Sequence, residues 1–210
     1  MEKVAAVVLA AGASRRLGRP KALLDFDGLT ALELAMRSLR EAGITAGVVV
    51  TGEASDVIRR AVDPSPFLWA LNPMPEAGRT GSLVIGLGAV GAVDVLLWPV
   101  DRPLAAPGTV RALLAARMEA IAAAAAVGTD PGTDVILPEH DGRRGHPLIL
   151  RAGLRERLLA AAPDASLRDL LREAGARRRV VPVDDPGIHF NLDTEEAWRE
   201  ALAWWRSRPR

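Results

Sequence analysis

Basic side chains and glycines stand close together in segment 9–21, which reads Leu-Ala-Ala-Gly-Ala-Ser-Arg-Arg-Leu-Gly-Arg-Pro-Lys. Gly12 and Gly18 permit a tight backbone path whose amide groups converge on an anion. Arg16 offers a forked donor to phosphate oxygens, and Lys21 offers a compact positive charge. The segment is neither a Walker A loop nor a Gly-x-Gly-x-x-Gly loop. It therefore favours a phosphate-binding loop of another kind, with a solvent-exposed basic turn as the alternative.

Two carboxylates are candidates for a metal site. Asp101 follows the apolar or neutral run 95–100 and is expected at the carboxyl end of a strand, where it could hold Mg²⁺ or cap the following turn. Asp193 precedes the last predicted helix and could be a second metal contact or the N-cap of that helix. The residues alone leave both alternatives open for each carboxylate.

His146 stands between Gly145 and Pro147, so its backbone is constrained on both sides. It could position a second substrate, or it could close a hairpin by hydrogen bonding. His140 and His189 have no evident partner in the sequence, and three scattered histidines do not make a zinc site.

The elements that would position these residues alternate between strands and helices. Strand–helix–strand units form a mostly parallel sheet with right-handed crossovers, and ligands bind at the carboxyl ends of its strands. The alanine run at 122–126 is expected to be the end of a helix or a buried strand. Apolar runs predict strands at 4–9, 47–51, 68–71, 94–100, 134–138, 147–150 and 179–183, with a hairpin turn at 141–145. Helical spacing predicts helices at 30–41, 55–62, 82–91, 109–124, 153–161, 166–174 and 194–205.

The composition limits the classes of protein to be considered. With 210 residues, 49% of them apolar, the chain is expected to form one domain spanning 1–210. Lysine and arginine number 27 against 26 acidic residues, and the net charge of +1 predicts no nucleic-acid partner. The absence of cysteine excludes disulfides and thiolate metal sites. No charge-free apolar stretch reaches the ~20 residues of a membrane span, so we expect a cytoplasmic protein with no membrane partner.

Segment 9–21 resembles the pattern Leu-Ala-Ala-Gly-x-Ser-x-Arg-x-Gly-x-x-Lys of the MobA-like nucleotidyltransferases at every fixed position. Leu17 stands where methionine is usual in that family, a volume-conserving change. The sequence is most similar to the molybdenum-cofactor cytidylyltransferase branch, followed by the guanylyltransferase branch. Further motifs follow in the family's order: Asn72-Pro73 with Gly78 and Gly81-Ser82-Leu83, Pro99-Val100-Asp101-Arg102-Pro103, Gly145-His146-Pro147, and Asn191-Leu192-Asp193-Thr194.

The resemblance implies a single-domain α/β fold of the nucleotide-diphospho-sugar transferase type. This is a Rossmann-like three-layer sandwich with a mostly parallel sheet and a small hairpin insertion. It also implies a Mg²⁺-dependent enzyme that transfers a nucleoside monophosphate to the phosphate of molybdopterin and releases pyrophosphate. The expected donor is CTP, with GTP as the alternative, and a transient contact with a molybdoenzyme or another cofactor-biosynthesis protein is expected.

The resemblance further assigns roles to residues. Asp101 and Asp193 would bind the metal, and Gly145 and His146 would bind the acceptor. Arg16, Lys21 and Asp101 would be catalytic, with Lys21 at the α-phosphate. The nucleotide would be bound by Leu9, Ala10, Ala11, Gly12, Ser14, Arg16, Lys21, Asn72, Gly81 and Ser82.

Three functions stay open at this point. The first is cytidylyl transfer to molybdopterin, favoured by Ala11 because the guanylyl branch usually has glycine there and a methyl group narrows the base site. The second is nucleotidyl transfer to another phosphate, with a guanylyl donor or a sugar-phosphate acceptor. The third is a non-catalytic nucleotide-binding accessory protein, against which Arg16, Lys21 and Asp101 argue together.

Overall fold

A mixed sheet of eight strands is seen in the computed structural model, which describes residues 4–14, 16–127 and 132–208. The order is β3-β2-β1-β4-β7-β5-β6, and β8 pairs with β5. The pairs β3–β2, β2–β1 and β1–β4 are parallel, whereas β7 is antiparallel to both β4 and β5. The strands are β1 (Val4–Ala10), β2 (Gly47–Thr51), β3 (Leu68–Leu71), β4 (Asp94–Pro99), β5 (Val135–His140), β6 (Arg143–Arg144), β7 (Leu148–Leu150) and β8 (Arg178–Pro182).

Helices cover both faces of this sheet, which gives three layers. The helices are α1 (Ala31–Glu41), α2 (Ser55–Ala61), α3 (Arg79–Val90), α4 (Pro107–Val127), α5 (Arg155–Leu159), α6 (Leu167–Glu173) and α7 (Glu195–Ser207). Because side chains of a strand alternate between faces, Val8 belongs to an apolar cluster with residues of α1, α2 and α4, while Val7 belongs to one with residues of α3, α5 and α6. A third apolar cluster, which includes Leu24 and Phe26, joins α7 to the segment that follows the loop after β1.

The predicted α/β fold is confirmed, and most predicted elements begin and end within two residues of the observed ones. Helix α3 differs because it begins at Arg79 rather than at 82, directly after Gly78, whose φ of 138° breaks the preceding turn. The alanine run at 122–126 lies in α4. Within the described residues, no helix is both long enough and apolar enough to cross a membrane.

Close packing places the start of α3 at the carboxyl edge of the sheet. A Cβ atom added at Gly86, in the middle of this helix, would collide with the side chain of Val7 in β1. Helix and strand therefore approach closely only because position 86 has no side chain. This brings the N-terminal residues of α3 beside the loop that follows β1.

Candidate active site

The loop after β1 turns sharply at Ser14, which has a φ of 49°, and again at Gly18, which has a φ of 65°. The hydroxyl of Ser14 accepts a hydrogen bond from the backbone amide of Lys21 at 3.0 Å. The carbonyl of Ser14 accepts one from the amide of Leu17, also at 3.0 Å. Ser14 therefore closes the loop on itself. Apart from its two chain neighbours, no described residue has an atom within 4 Å of a Cβ built at Gly12, so the backbone there is open to the cleft.

Asp101 and the segment 191–193 are held together by the backbone. The amide of Leu192 donates a hydrogen bond of 2.8 Å to the carbonyl oxygen of Asp101. The amide of Arg102 donates one of 3.0 Å to the carbonyl of Pro99, which fixes the turn after β4. The two predicted metal-binding carboxylates consequently reach the same cleft although 92 positions separate them in the sequence.

Lys21 lies between these carboxylates. Its ammonium group forms an ion pair with Asp193 Oδ1 and lies 3.9 Å from Asp101 Oδ2. A guanidinium nitrogen of Arg16 is 3.9 Å from Asp193 Oδ2, and Asn191 Nδ2 donates to the same oxygen at 2.9 Å. Partial burial alone would raise the pKa of Asp193, but Lys21, Asn191 and Arg16 outweigh it and lower this pKa below its usual value. Asp193 is thus held as an anion at neutral pH.

Two buried oxygens at this place accept no hydrogen bond. They are Asp101 Oδ1 and Asn191 Oδ1, which have no partner among the described residues. A buried acceptor without a donor is costly, and carboxylate and amide oxygens are suitable ligands for a hard divalent cation. The donor set therefore fits Mg²⁺. Asp193 does not serve as the N-cap of α7, because Thr194 has that position and accepts from the amide of Ala197 at 3.2 Å.

The motif that contains Asn72, Gly81 and Ser82, which is predicted to bind the nucleotide, is divided between the cleft wall and the layer behind it. Ser82 lines the cleft. Asn72 is buried behind it and donates to the Ser82 hydroxyl at 2.9 Å, while its own oxygen accepts from the amide of Met74 at 3.0 Å. The amide of Gly81 donates to the carbonyl of Pro163 at 3.3 Å. Asn72 and Gly81 therefore shape this wall, and Ser82 is the member of the three that faces the cleft.

His146 lines the same cleft from the turn before β7. Its amide donates to the carbonyl of Ile188 at 3.3 Å, and a Cβ at Gly145 would lie 2.6 Å from the Ile188 side chain. Burial and then the positive charges of Arg102 and Arg79 lower the pKa of His146 to about 4. The imidazole is therefore neutral at physiological pH, and its buried Nδ1 has no hydrogen-bond partner among the described residues.

The other two histidines have partners that the sequence did not reveal. His140 Nδ1 is 3.0 Å from the carbonyl of Val183, and His189 Nε2 is 3.1 Å from the carbonyl of His140. Their ring centroids are 5.9 Å apart. These contacts join the hairpin to the segment after β8, which is a structural role.

The cleft has a volume of about 760 Å³, within the usual range for small-molecule sites. Sequence reasoning missed the cleft residues Arg79 and Thr80, although they adjoin the Gly81-Ser82 motif, and the loop 164–168, which carries no motif. The cleft brings together most of the predicted site residues, whereas Asn72, Gly81 and Gly145 do not line it. The predicted residues that line it are Leu9, Ala10, Ala11, Gly12, Ser14, Arg16, Lys21, Ser82, Asp101, His146 and Asp193.

Residues 6–180 match the family described as the MobA-like NTP transferase domain, and the chain belongs to that family. Its fold and relatives are those of a nucleotidyltransferase. It is 30% identical over 201 residues to the molybdenum cofactor guanylyltransferase of Xanthomonas euvesicatoria pv. vesicatoria, and the match covers 93% of each chain. It is also 30% identical over 196 residues to the nicotine blue oxidoreductase of Paenarthrobacter nicotinovorans, covering 92% of this chain and 93% of that protein.

A solved structure supports the same fold. The nucleotidyl transferase Mth528 from Methanothermobacter thermautotroptrophicus superposes with a TM-score of 0.78 and covers 98% of this chain and 99% of its own. The two sequences are 23% identical, so this likeness bears on the fold alone.

Proposed function

We propose that this protein transfers a nucleoside monophosphate from a nucleoside triphosphate to the phosphate of a small acceptor, with Mg²⁺ as cofactor and molybdopterin as the acceptor. A phosphate oxygen of the acceptor attacks the α-phosphorus, the bond from that phosphorus to the bridging oxygen breaks, and pyrophosphate leaves with the electron pair. The observation that carries the proposal is the convergence of Lys21, Asp101 and Asp193 in one cleft, beside buried oxygens that lack donors.

The residues of this site would act by positioning and by charge compensation. Asp101 and Asp193 would hold the Mg²⁺, which supplies neutralisation of charge on the phosphate oxygens. Lys21 would donate to the α-phosphate, where negative charge develops. Arg16, whose side chain is 70% exposed, is free to turn toward the β- and γ-phosphates together with the amides of the first loop.

No strong general base is required for this reaction, because a phosphate monoester is already nucleophilic near neutral pH. The neutral His146 suits this chemistry as a residue that orients the acceptor by hydrogen bonding. Its low pKa, about 4, leaves it unprotonated and prevents it from serving as a general acid at neutral pH.

Two observations point to different bases in the donor triphosphate. Ala11 is 5% exposed and lines the cleft, and its methyl group narrows the space beside the first loop, which favours the single ring of CTP. The relative named molybdenum cofactor guanylyltransferase supports GTP instead. We retain CMP transfer as the specific proposal because it depends on a residue of this chain, with GMP transfer as the second candidate.

A redox function, as the name of one relative suggests, has less support. The one stretch that reads Gly-x-Gly-x-x-Gly is 86–91. This stretch begins in the middle of α3, where Gly86 packs against Val7, and finishes at the C-terminal end of that helix. A dinucleotide-binding loop must instead follow a strand and open a helix. A purely accessory function would not require Arg16, Lys21 and Asp101 together at the cleft.

The decisive experiment incubates the protein with each of four labelled triphosphates, Mg²⁺ and molybdopterin, and measures both pyrophosphate release and the nucleotide-bearing product. Omission of the acceptor and the variant Asp101→Asn are the controls. Acceptor-dependent release with CTP is expected. Pyrophosphate release with GTP alone would identify GTP rather than CTP as the donor. No release with any triphosphate would overturn the proposal.

A further inference from the structure

Two arginines near His146 have side chains without a partner. In the described part of the chain, the guanidinium groups of Arg79 and Arg102 make no hydrogen bond, ion pair or ring contact. Arg79 lines the cleft together with His146, and Arg102 directly follows Asp101, which lines it as well. The positive charges of both arginines contribute to the lowered pKa of His146. Two unpaired cations beside a neutral imidazole create a local positive field that favours an anion.

The backbones that carry these arginines are fixed. The indole of Trp98, which is fully buried, donates its N–H to the carbonyl of Arg102 at 2.9 Å. Arg79 is the first residue of α3 and follows Gly78, where any Cβ would collide with the carbonyl of Pro163. Because the two attachment points are fixed, binding of an anion would order only the side chains and not the backbone.

We propose that Arg79, Arg102 and His146 form a subsite for the phosphate group of the acceptor. This inference rests on the proposed function, which requires an acceptor phosphate in the cleft. The triphosphate already has Arg16, Lys21 and the amides of the first loop, so the field near His146 is available to a second anion. The planar guanidinium forks match phosphate oxygens, and the neutral imidazole can add a hydrogen bond without a further positive charge.

The turn after β4 would then serve both substrates. Asp101 faces Lys21 at 3.9 Å on the metal side, and the next residue, Arg102, would bind the acceptor phosphate. Adjacent residues on one rigid turn would thus bring the attacking oxygen close to the metal-bound α-phosphate. This gives Arg102, which stands between Asp101 and Pro103, a role in selecting phosphorylated acceptors.

The test titrates inorganic phosphate into the full-length protein and follows the imidazole resonances by NMR. The chain has three histidines. His140 contacts the carbonyl of Val183 and His189 contacts the carbonyl of His140, so these two serve as internal references. A saturable shift of the His146 resonance is expected, with the other two unchanged. Phosphate affinity should fall about tenfold in Arg79→Met and in Arg102→Met, the effect of one lost charge-assisted hydrogen bond.

The control variant is Arg199→Met, which removes an arginine that is 69% exposed and pairs with Glu195 on α7. It should bind phosphate as the parent does. Arg102→Lys should bind phosphate more tightly than Arg102→Met, because it keeps the positive charge but lacks the planar guanidinium group. Unchanged affinity in both methionine variants, or no shift at His146, would overturn the subsite whether or not the protein transfers nucleotides.

A second experiment distinguishes a subsite for the acceptor phosphate from the site of the β- and γ-phosphates of the triphosphate. The same titration is repeated with an α,β-methylene analogue of CTP, and then of GTP, bound in the presence of Mg²⁺. Phosphate should still shift His146, because the two anions occupy different parts of the cleft. If the analogue and inorganic phosphate competed for one site, Arg79 and Arg102 would belong to the triphosphate site, and the proposal would be overturned. Failure of both analogues to bind would count against the proposed function instead.

Discussion

Lys21 and Asp193 are 172 positions apart in the sequence and form an ion pair across the cleft. The same ammonium group lies 3.9 Å from Asp101, so one lysine compensates two carboxylates. A metal ion that binds these carboxylates would repel this ammonium. Lys21 would then be released toward the triphosphate, which links the binding of metal to the placement of the catalytic cation.

We expect Lys21→Ala to lower kcat about 100-fold, as removal of a donor to developing charge does in other enzymes, with a smaller change in KM. The reason is that the proposed contact of Lys21 with the α-phosphate would strengthen as charge builds in the transition state. Steady-state kinetics with varied triphosphate measure both constants. A change confined to KM would show that Lys21 acts in ground-state binding.

Arg16→Ala is expected to change KM more than kcat, the opposite of Lys21→Ala. Its contacts with the β- and γ-phosphates are the same in the ground state and the transition state, so KM for the triphosphate should rise roughly tenfold while kcat changes little. The comparison with Lys21→Ala in one assay is the measurement. A large drop in kcat for Arg16→Ala would indicate that its guanidinium contacts the α-phosphate.

Asp101→Asn should abolish most turnover and keep the fold. Asparagine preserves the shape of the side chain but removes the negative charge that binds Mg²⁺. The binding of Mn²⁺, followed by electron paramagnetic resonance, should weaken in parallel with activity. Asp169→Asn, on the surface of α6 beside Arg172, is the matched control and should change neither quantity. Turnover within a few-fold of the parent at saturating Mg²⁺ would contradict the metal assignment.

Stability depends on a buried charge cluster at the other end of β4. Asp94 is 4% exposed and accepts from Arg117 Nε at 2.6 Å and from the amide of Ala152 at 2.7 Å. Asp94→Asn leaves the buried guanidinium without its anion, which should lower the free energy of unfolding by about 3–5 kcal/mol. Urea denaturation measures this, and the exposed pair removed in Asp169→Asn should cost less than about 1 kcal/mol. Equal losses in the two variants would refute the structural importance of the cluster.

The fold and the first loop could be predicted because their signals are local. The buried run of β1 and the spacing up to Lys21 are contained in one short segment, and the structure places them as the sequence indicates. The dual interpretation of Asp193 could not be resolved from sequence, because an N-cap and a metal ligand use the same residue types. The cap provided by Thr194 excludes the N-cap role of Asp193, and this is evident only when the helix start is known.

The missed part of the site depends on packing between distant elements. The loop that follows α5 reaches the cleft because Pro163 packs on Gly78 and Gly81, and that loop carries no motif that would single out its polar residues. Asn72 shows the reverse case. Its motif is local, but burial behind Ser82 gives it a positioning role that spacing alone does not reveal.

The last prediction concerns the donor base and Ala11. Its backbone lies close to Gly52, since a Cβ added at Gly52 would be 2.6 Å from the Ala11 carbonyl oxygen. We expect kcat/KM to be higher for CTP than for GTP because the methyl group narrows the base site.

Ala11→Gly should reduce that ratio by about 10-fold, within the ~1–3 kcal/mol that one carbon-sized group contributes to discrimination. It should not produce an efficient guanylyltransferase by itself, because polar groups that suit cytosine would remain unmatched by guanine. Ala13→Gly is the matched control, since it removes a methyl group from the exposed part of the same loop. The two triphosphates are compared with one acceptor at equal Mg²⁺. A preference for GTP in the parent protein would assign it to guanylyl transfer, and the roles of Lys21 and Asp101 would be unaffected, since both act on the phosphates rather than on the base.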